Sequence, residues 1–197
     1  MRGVSLLQHE EVALIEKAKN GDVESFELLI NVYQKKAFNI AYRMLGNLED
    51  ANDVTQEALV KVYRSIHNFK GNSSFSTWLY SIVNNACIDF IRKNRKVNLL
   101  YIDKEYGETN YKIEIGDEIN TPESLFEKNE IKQMVHDAIN QLNYEQRNII
   151  ILRDIQGFSY QEIAEMINVS LGTVKSRINR ARSSLKDIIN EGNKATS

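Results

Sequence analysis

The stretch that most constrains this chain is Ser170 to Lys186, SLGTVKSRINRARSSLK. Lys175, Arg177, Arg180, Arg182 and Lys186 fall here with no acidic residue, in a protein of net charge −2. Val174, Ile178, Ala181 and Leu185 recur at i, i+4, i+7 and i+11, one continuous helical stripe. The bases and the short polar residues Thr173, Ser176 and Asn179 lie mostly off that stripe. One face packs, and the other is offered to an anion. Upstream, Phe158-Ser159-Tyr160-Gln161-Glu162 opens a second, shorter helix. Ser159 with Glu162 makes a capping box, in which two otherwise unmet amide donors are satisfied reciprocally. Ile163, Ala164 and Ile167 give that helix an apolar face, Asn168-Val169 breaks it, and Ser170 caps the basic helix. Two short helices joined by a tight turn, the second basic, read as a helix-turn-helix whose second helix enters the DNA major groove. A solvated basic helix in an ordinary bundle is the plainer alternative, and the capped partner helix and clean stripe weigh against it.

Near-neutral charge looks odd for a DNA-binding chain until it is mapped. Between Tyr101 and Glu130, nine acids (Asp103, Glu105, Glu108, Glu114, Asp117, Glu118, Glu123, Glu127, Glu130) face only Lys104, Lys112 and Lys128. Basic segments and an acidic middle cancel in the average. One proline, nine glycines and long 3.6-period stretches in 197 residues indicate an almost wholly helical chain. No run approaches the ~18 apolar residues of a membrane span, and MRGVSLLQHEEVALIEKAK lacks the apolar core of a signal peptide. The expected location is the cytoplasm. Cys87 is the only cysteine, which excludes an intramolecular disulfide and a cysteine zinc site. His9, His67 and His136 are far apart. No metal set, nucleophile–base pair or phosphate loop is present, so neither cofactor nor enzymatic activity is expected.

Along the chain, residues 10–20 read as a short amphipathic helix and Asp22 caps the next, which stops at Gly46-Asn47. A third helix runs from about Glu49 to His67. The polar break Lys70-Gly71-Asn72-Ser73-Ser74 lies between Phe69 and Phe75, and Ser76 is the expected cap of a fourth helix ending in the basic run Arg92–Lys96. Residues 97–121 lose periodicity and read as a flexible acidic linker, with local extended structure at Leu99–Ile102. About 25 extended residues reach roughly 80 Å, more than two DNA turns of about 34 Å. Helices resume at 122–142 and, after an Asn143…Gln146 capping box, at 144–155. The expected fold is all-α: two small helical domains, 1–96 and 122–197, joined by that linker, the second containing the helix-turn-helix.

At this point the residues resemble a known family. LEDANDVTQEALVKVYRSIHNFKGNSSFSTWLYSIVNNACIDFIRKNRK and LNYEQRNIIILRDIQGFSYQEIAEMINVSLGTVKSRINRARSSLK are similar to the two domains of an extracytoplasmic-function sigma factor, in the same order. The resemblance implies a dissociable initiation subunit that carries bacterial RNA polymerase core to promoters. It implies that Asp50, Asp53, Gln56 and Glu57 meet the clamp helices of the polymerase largest subunit. Asp50, Asp53 and Glu57 share a face at i, i+3 and i+7, sensible for a basic partner, though acids also favour a helix start for the dipole alone. Asn52 stands where the family usually has an acid.

The resemblance further assigns the −10 element to Phe69, the 70–76 loop, Trp78 and Tyr80. Ser73, Ser74 and Phe75 are expected nearest an unstacked base, and Trp78 is expected to be mainly structural. Asn85, Asp89 and Arg92 lie on one helical face beside that element, while Lys93, Arg95 and Lys96 suit phosphates. For the −35 element it implies Lys175, Ser176, Asn179 and Arg180, in two i, i+4 rows. Arginine or lysine can read guanine there and asparagine adenine. Thr173 suits a phosphate at the helix start. Arg177 and Arg182 serve phosphates or hold the fold through carboxylates such as Glu162. The implied partners are polymerase core (clamp helices and flap), promoter DNA and an anti-sigma factor, often membrane-anchored; a monomer is expected. Two rival readings remain at this level: a stand-alone helix-turn-helix regulator, and a degenerate sigma-like interaction module.

Overall fold

The computed structural model describes residues 2–100 and 134–195, with side chains from 10 to 94 and from 134 to 192. Among the described residues every regular element is helical. Helix α1 spans Arg2–Lys19, longer than the 10–20 expected. The Asp22 carboxylate accepts from the Ser25 amide at 3.3 Å and starts α2, Val23–Leu45. Gly46, at φ 74°, closes α2 by donating its amide to Tyr42 O at 2.8 Å, a left-handed conformation that glycine adopts without steric cost. Asn47 then caps α3, Leu48–Ser65, through the amides of Glu49 (2.8 Å) and Asp50 (3.1 Å). A short 3-10 turn, Ile66–Asn68, takes the place of the last expected turn of this helix.

Helix α4 runs Phe75–Leu100. Its cap is Ser74, whose hydroxyl accepts from the Thr77 amide at 3.1 Å, rather than the expected Ser76. It also continues past Arg92–Lys96, so residues 97–100 and the Leu99-Leu100 pair are helical, not linker or extended chain. A run of residues without a breaker simply propagates the helix. The remainder of the expected linker, 101–121, with Tyr101 and Ile102, and the helix start at 122–133 lie outside the described residues.

The N-terminal core consists of Leu29, Ala37, Ile40, Ala41 and Met44 of α2, Ala51, Val54, Ala58 and Val62 of α3, and Phe75, Leu79, Val83 and Cys87 of α4, all at 3% exposure or less. Each large apolar side chain so buried contributes about 1.5–3 kcal/mol. Burial pushes the Cys87 thiol up to about 12. At pH 8 a thiol reagent is therefore expected to label Cys87 only as the protein unfolds. Labelling of the native protein within seconds would contradict the burial.

In the C-terminal half, residues 134–141 form α5. Asn143 caps α6, Tyr144–Ile150, by accepting from the Gln146 amide at 3.0 Å. The return bond to Gln146 comes from the Asn143 side chain (2.9 Å), so the expected box is only half of the backbone-reciprocal kind. A π-helical stretch, Ile151–Ile155, follows, and Gly157 (φ 76°) turns the chain toward α7, Tyr160–Met166. The Ser159–Glu162 capping box is present in both directions. Asn168, at φ 51°, makes the tight turn, a left-handed position that asparagine tolerates. Ser170 then caps α8, Leu171–Ala195, from the Thr173 amide at 3.2 Å.

Both halves share one continuous apolar cluster. Helix α7 packs on α4, and the α6 region packs on α2.

Candidate nucleic-acid and polymerase interfaces

On α8, Val174, Ile178 and Ala181 are fully buried, and Leu185 is half-buried. The opposite side presents Lys175, Asn179 and Arg180 to solvent, with Thr173, Ser176 and Arg177 half-buried at its edges. The Ser176 hydroxyl donates to Thr173 O at 2.9 Å, and Arg180 Nη2 lies 3.5 Å from Ser176 Oγ, the limit of a hydrogen bond. These side chains are held by the helix and little else, which leaves their donors available to an incoming ligand. Arg182 differs. Its guanidinium grips Asp154 through Nε (3.2 Å) and Nη2 (2.5 Å), and this pairing raises its pKa further. The carboxylate partner is thus Asp154, not the expected Glu162, which is already engaged by the Ser159 cap. Arg182 pins α8 to the π-helical stretch.

On α3, Asp53, Gln56 and Glu57 are exposed and Asp50 is half-buried. Burial first, then the neighbouring Asp53 and Glu49 carboxylates, raise the pKa of Asp50. Glu57 is shifted the other way by its bond to Lys61 at 2.9 Å, with a smaller contribution from Lys93. The carboxylates of Asp53 and Glu49 beside the half-buried Asp50 give this end of the stripe a negative field that favours a cationic partner. The exposed Asn52 stands beside this stripe and adds no charge to it.

At the α3–α4 corner the aromatic side chains form a cluster rather than an open pocket. Phe75 is 2% exposed, a core residue rather than the base-facing one expected. Its ring meets Phe69 at 5.5 Å (interplanar 87°), Tyr33 at 5.5 Å and Trp78 at 5.6 Å. Trp78 is half-buried and leans on Phe69 at 5.2 Å. The loop exposes Gly71, Asn72 and Ser74. The Ser74 hydroxyl is occupied locally, by the Thr77 cap and by Ser76 Oγ at 2.9 Å, while Asn72 is exposed and Ser73 half-buried. Along α4, Asn85, Asp89, Arg92 and Lys93 are exposed. Arg95 and Lys96 lie on the same helix, with side chains outside the described set.

Two family profiles match the chain: Sigma-70 region 2 over residues 29–97 and Sigma-70 region 4 over residues 132–185. The ECF RNA polymerase sigma factor SigW of Bacillus subtilis is 37% identical over 176 residues, 87% of this chain and 92% of that protein. RNA polymerase sigma-H factor of Pseudomonas aeruginosa is 35% identical over 184 residues, 91% and 94% of the two chains. This chain belongs to the ECF sigma factor family. It is an alternative sigma factor that binds bacterial RNA polymerase core and directs transcription initiation at promoters. Its fold is that of the sigma factor RpoE solved with the anti-sigma factor NepR from Bartonella quintana (TM-score 0.68, 23% identity, covering 85% of this chain and 98% of that one). It is also that of CnrH solved with the cytosolic domain of CnrY (TM-score 0.65, 23% identity, covering 92% and 98%).

Within the sigma factor fold, one group of residues was not singled out by the sequence reading. Phe158 sits where a capping box usually carries its hydrophobic staple, yet its ring meets Tyr80 of the other half at 5.5 Å. Lys36 Nζ stands 3.9 Å over the Phe158 ring and donates to Gln156 O at 3.2 Å. Arg147 Nη1 donates to Met44 O at 3.3 Å. An apolar residue beside a glycine turn was the only sequence signal. Among the described residues no helix is long and apolar enough to cross a membrane, and no group of three or more acidic, cysteine or histidine side chains could hold a metal ion.

Proposed function

We propose that this sigma factor divides its work between two domains, 1–96 and 122–197. The C-terminal domain reads the −35 element through Lys175, Ser176, Asn179 and Arg180, with Thr173 and Arg177 on phosphates. The N-terminal domain docks on the clamp helices through Asp50, Asp53, Gln56 and Glu57. It opens the −10 element with Asn72, Ser73, Asn85, Asp89 and Arg92, and Lys93, Arg95 and Lys96 serve phosphates. Ser74, Phe75 and Trp78 act behind them as cap and packing. The observation that carries this reading is the exposed Lys175–Asn179–Arg180 face on a helix whose opposite stripe is fully buried. The role is non-catalytic, exercised in the cytoplasm where core polymerase is found. An anti-sigma partner belongs to the proposal, because RpoE and CnrH, which share the fold, were solved bound to NepR and CnrY.

The test is multi-round transcription on a fragmented genomic template, with core polymerase alone and with this protein added. Discrete start sites that need the protein, sharing two upstream elements, are the expected result. Stable DNA binding by the protein alone, with no new transcripts, would favour a stand-alone regulator.

The docking assignment has its own test. Replacing Asp53 and Glu57 together by alanine is expected to weaken core binding about tenfold, since exposed charge pairs contribute up to about 1 kcal/mol each. Far-UV dichroism should be unchanged, because both side chains are exposed. A loss of helicity in that variant would make the acids structural.

A further inference from the structure

The first turn of α8 carries two residues that the protein's own packing does not call for. Leu171 is 40% exposed, the only large apolar side chain of α8 left exposed among the described residues. A hydrophobic staple at a helix start pairs the residue before the cap with the fourth helical residue. Around the Ser170 cap those are Val169 and Val174, and both pack into the apolar cluster. Leu171 stands outside that buried cluster. Gly172 is equally unforced. Its φ is not left-handed, and a Cβ built on it would meet only Ser170 Oγ, at 3.9 Å. Alanine is the better helix former at such a position.

Both residues stand where the reading rows begin. Leu171 precedes Lys175 and Asn179 at i, i+4 and i+8, and Gly172 precedes Ser176 and Arg180 in the same way. Each four-residue step rises about 6 Å, so the two rows run unbroken for about 12 Å from the helix start. The N-terminal residues of a recognition helix are those that meet base edges. The leading positions of the two rows are therefore a hydrocarbon and a gap, on a face otherwise made of cations, a hydroxyl and an amide.

That combination selects its partner chemically. Leucine offers neither donor nor acceptor. Set against the edge of guanine, adenine or cytosine, it would strip water from polar atoms and return no hydrogen bond. The one apolar group that base pairs present in the major groove is the 5-methyl of thymine. Covering it removes hydrocarbon from water on both sides of the contact. With no side chain at 172, the helix start can approach the duplex more closely than any other residue there would allow.

We infer that Leu171 is a specificity-determining residue that takes up the 5-methyl group of a thymine in the −35 element, with Gly172 leaving the clearance that brings it there. The inference deepens the −35 reading proposed above and rests on it.

The experiment uses holoenzyme, core polymerase with the full chain, on a promoter fragment recovered in the genomic transcription test. Each thymidine of the −35 element is replaced in turn by deoxyuridine, which removes the methyl and nothing else. One replacement is expected to weaken binding about fourfold, the worth of a single methyl withdrawn from water. Leu171→Ala and the polar Leu171→Asn should bind the parent fragment more weakly by a similar factor and no longer distinguish thymine from uracil at that position. Leu171→Met, which keeps the hydrocarbon, should still distinguish them. Urea midpoints of all three should match the parent, because the side chain is exposed. Gly172→Ala should weaken binding while its urea midpoint stays equal or rises, opposite signs that a purely structural glycine would not give. A flat uracil scan, a Leu171→Ala protein that keeps the discrimination, or a −35 element without an A·T pair would overturn the inference. Lys175→Ala and Arg180→Ala, run alongside, separate its failure from that of the underlying reading. If they weaken binding while the uracil scan is flat, the Leu171 assignment alone falls; if they bind like the parent, the −35 reading falls with it.

Discussion

Phe75→Ala is expected to destabilise the protein by about 3–5 kcal/mol, the cost of removing a buried phenylalanine that its surroundings cannot refill. The ring is 2% exposed and touches Tyr33, Phe69 and Trp78 at once, so helices α2 and α4 and the intervening loop are all loosened together. Domains of this size rarely hold more than about 5–15 kcal/mol in total, which makes the effect visible as a large fall in the urea midpoint. Promoter opening should fail in proportion to unfolding and recover on cooling. Phe75→Leu, which keeps apolar volume, should cost less and restore most activity. A different pattern would revive the base-facing role: unchanged urea unfolding with a selective loss of −10 opening.

That correction shows where the sequence ran out. Periodicity identified the helices because each buried stripe recurs every 3.6 residues, and Val174, Ile178 and Ala181 are buried as that pattern requires. Caps were legible for the same local reason: Asp22, Ser159 and Ser170 each bond the amide three residues on. Phe75 was ambiguous because an aromatic beside a glycine loop can stack on a base or on its neighbours, and only tertiary placement decides. The Lys36–Phe158 contact was invisible for a stronger reason. Lys36 and Gln156 are 120 residues apart in the chain, and neither carries a local signature. Arg182 illustrates the intermediate case. A structural role was anticipated, but choosing between Glu162 and Asp154 needed the π-helical stretch that brings Asp154 alongside α8.

The last consequence concerns the reading face itself. Lys175→Ala and Arg180→Ala are each expected to cut transcription from a −35-dependent promoter roughly 5- to 150-fold, the ~1–3 kcal/mol of a direct base contact. Both side chains are exposed, and Arg180 meets Ser176 Oγ only at the 3.5 Å limit. Folding free energy should therefore stay within about 0.5 kcal/mol of the parent, as surface substitutions do, and core binding should be unchanged. Salt and sequence dependence separate the two chemical roles. If Arg180 reads a base, its removal relaxes preference at one promoter position, where the variant should tolerate all four bases. If it holds a phosphate, its removal weakens every promoter alike and lowers the salt slope by about one. Weakened core binding by either variant would instead move the residue out of the DNA interface, because nothing in the packing of α8 connects this face to the acidic stripe of α3.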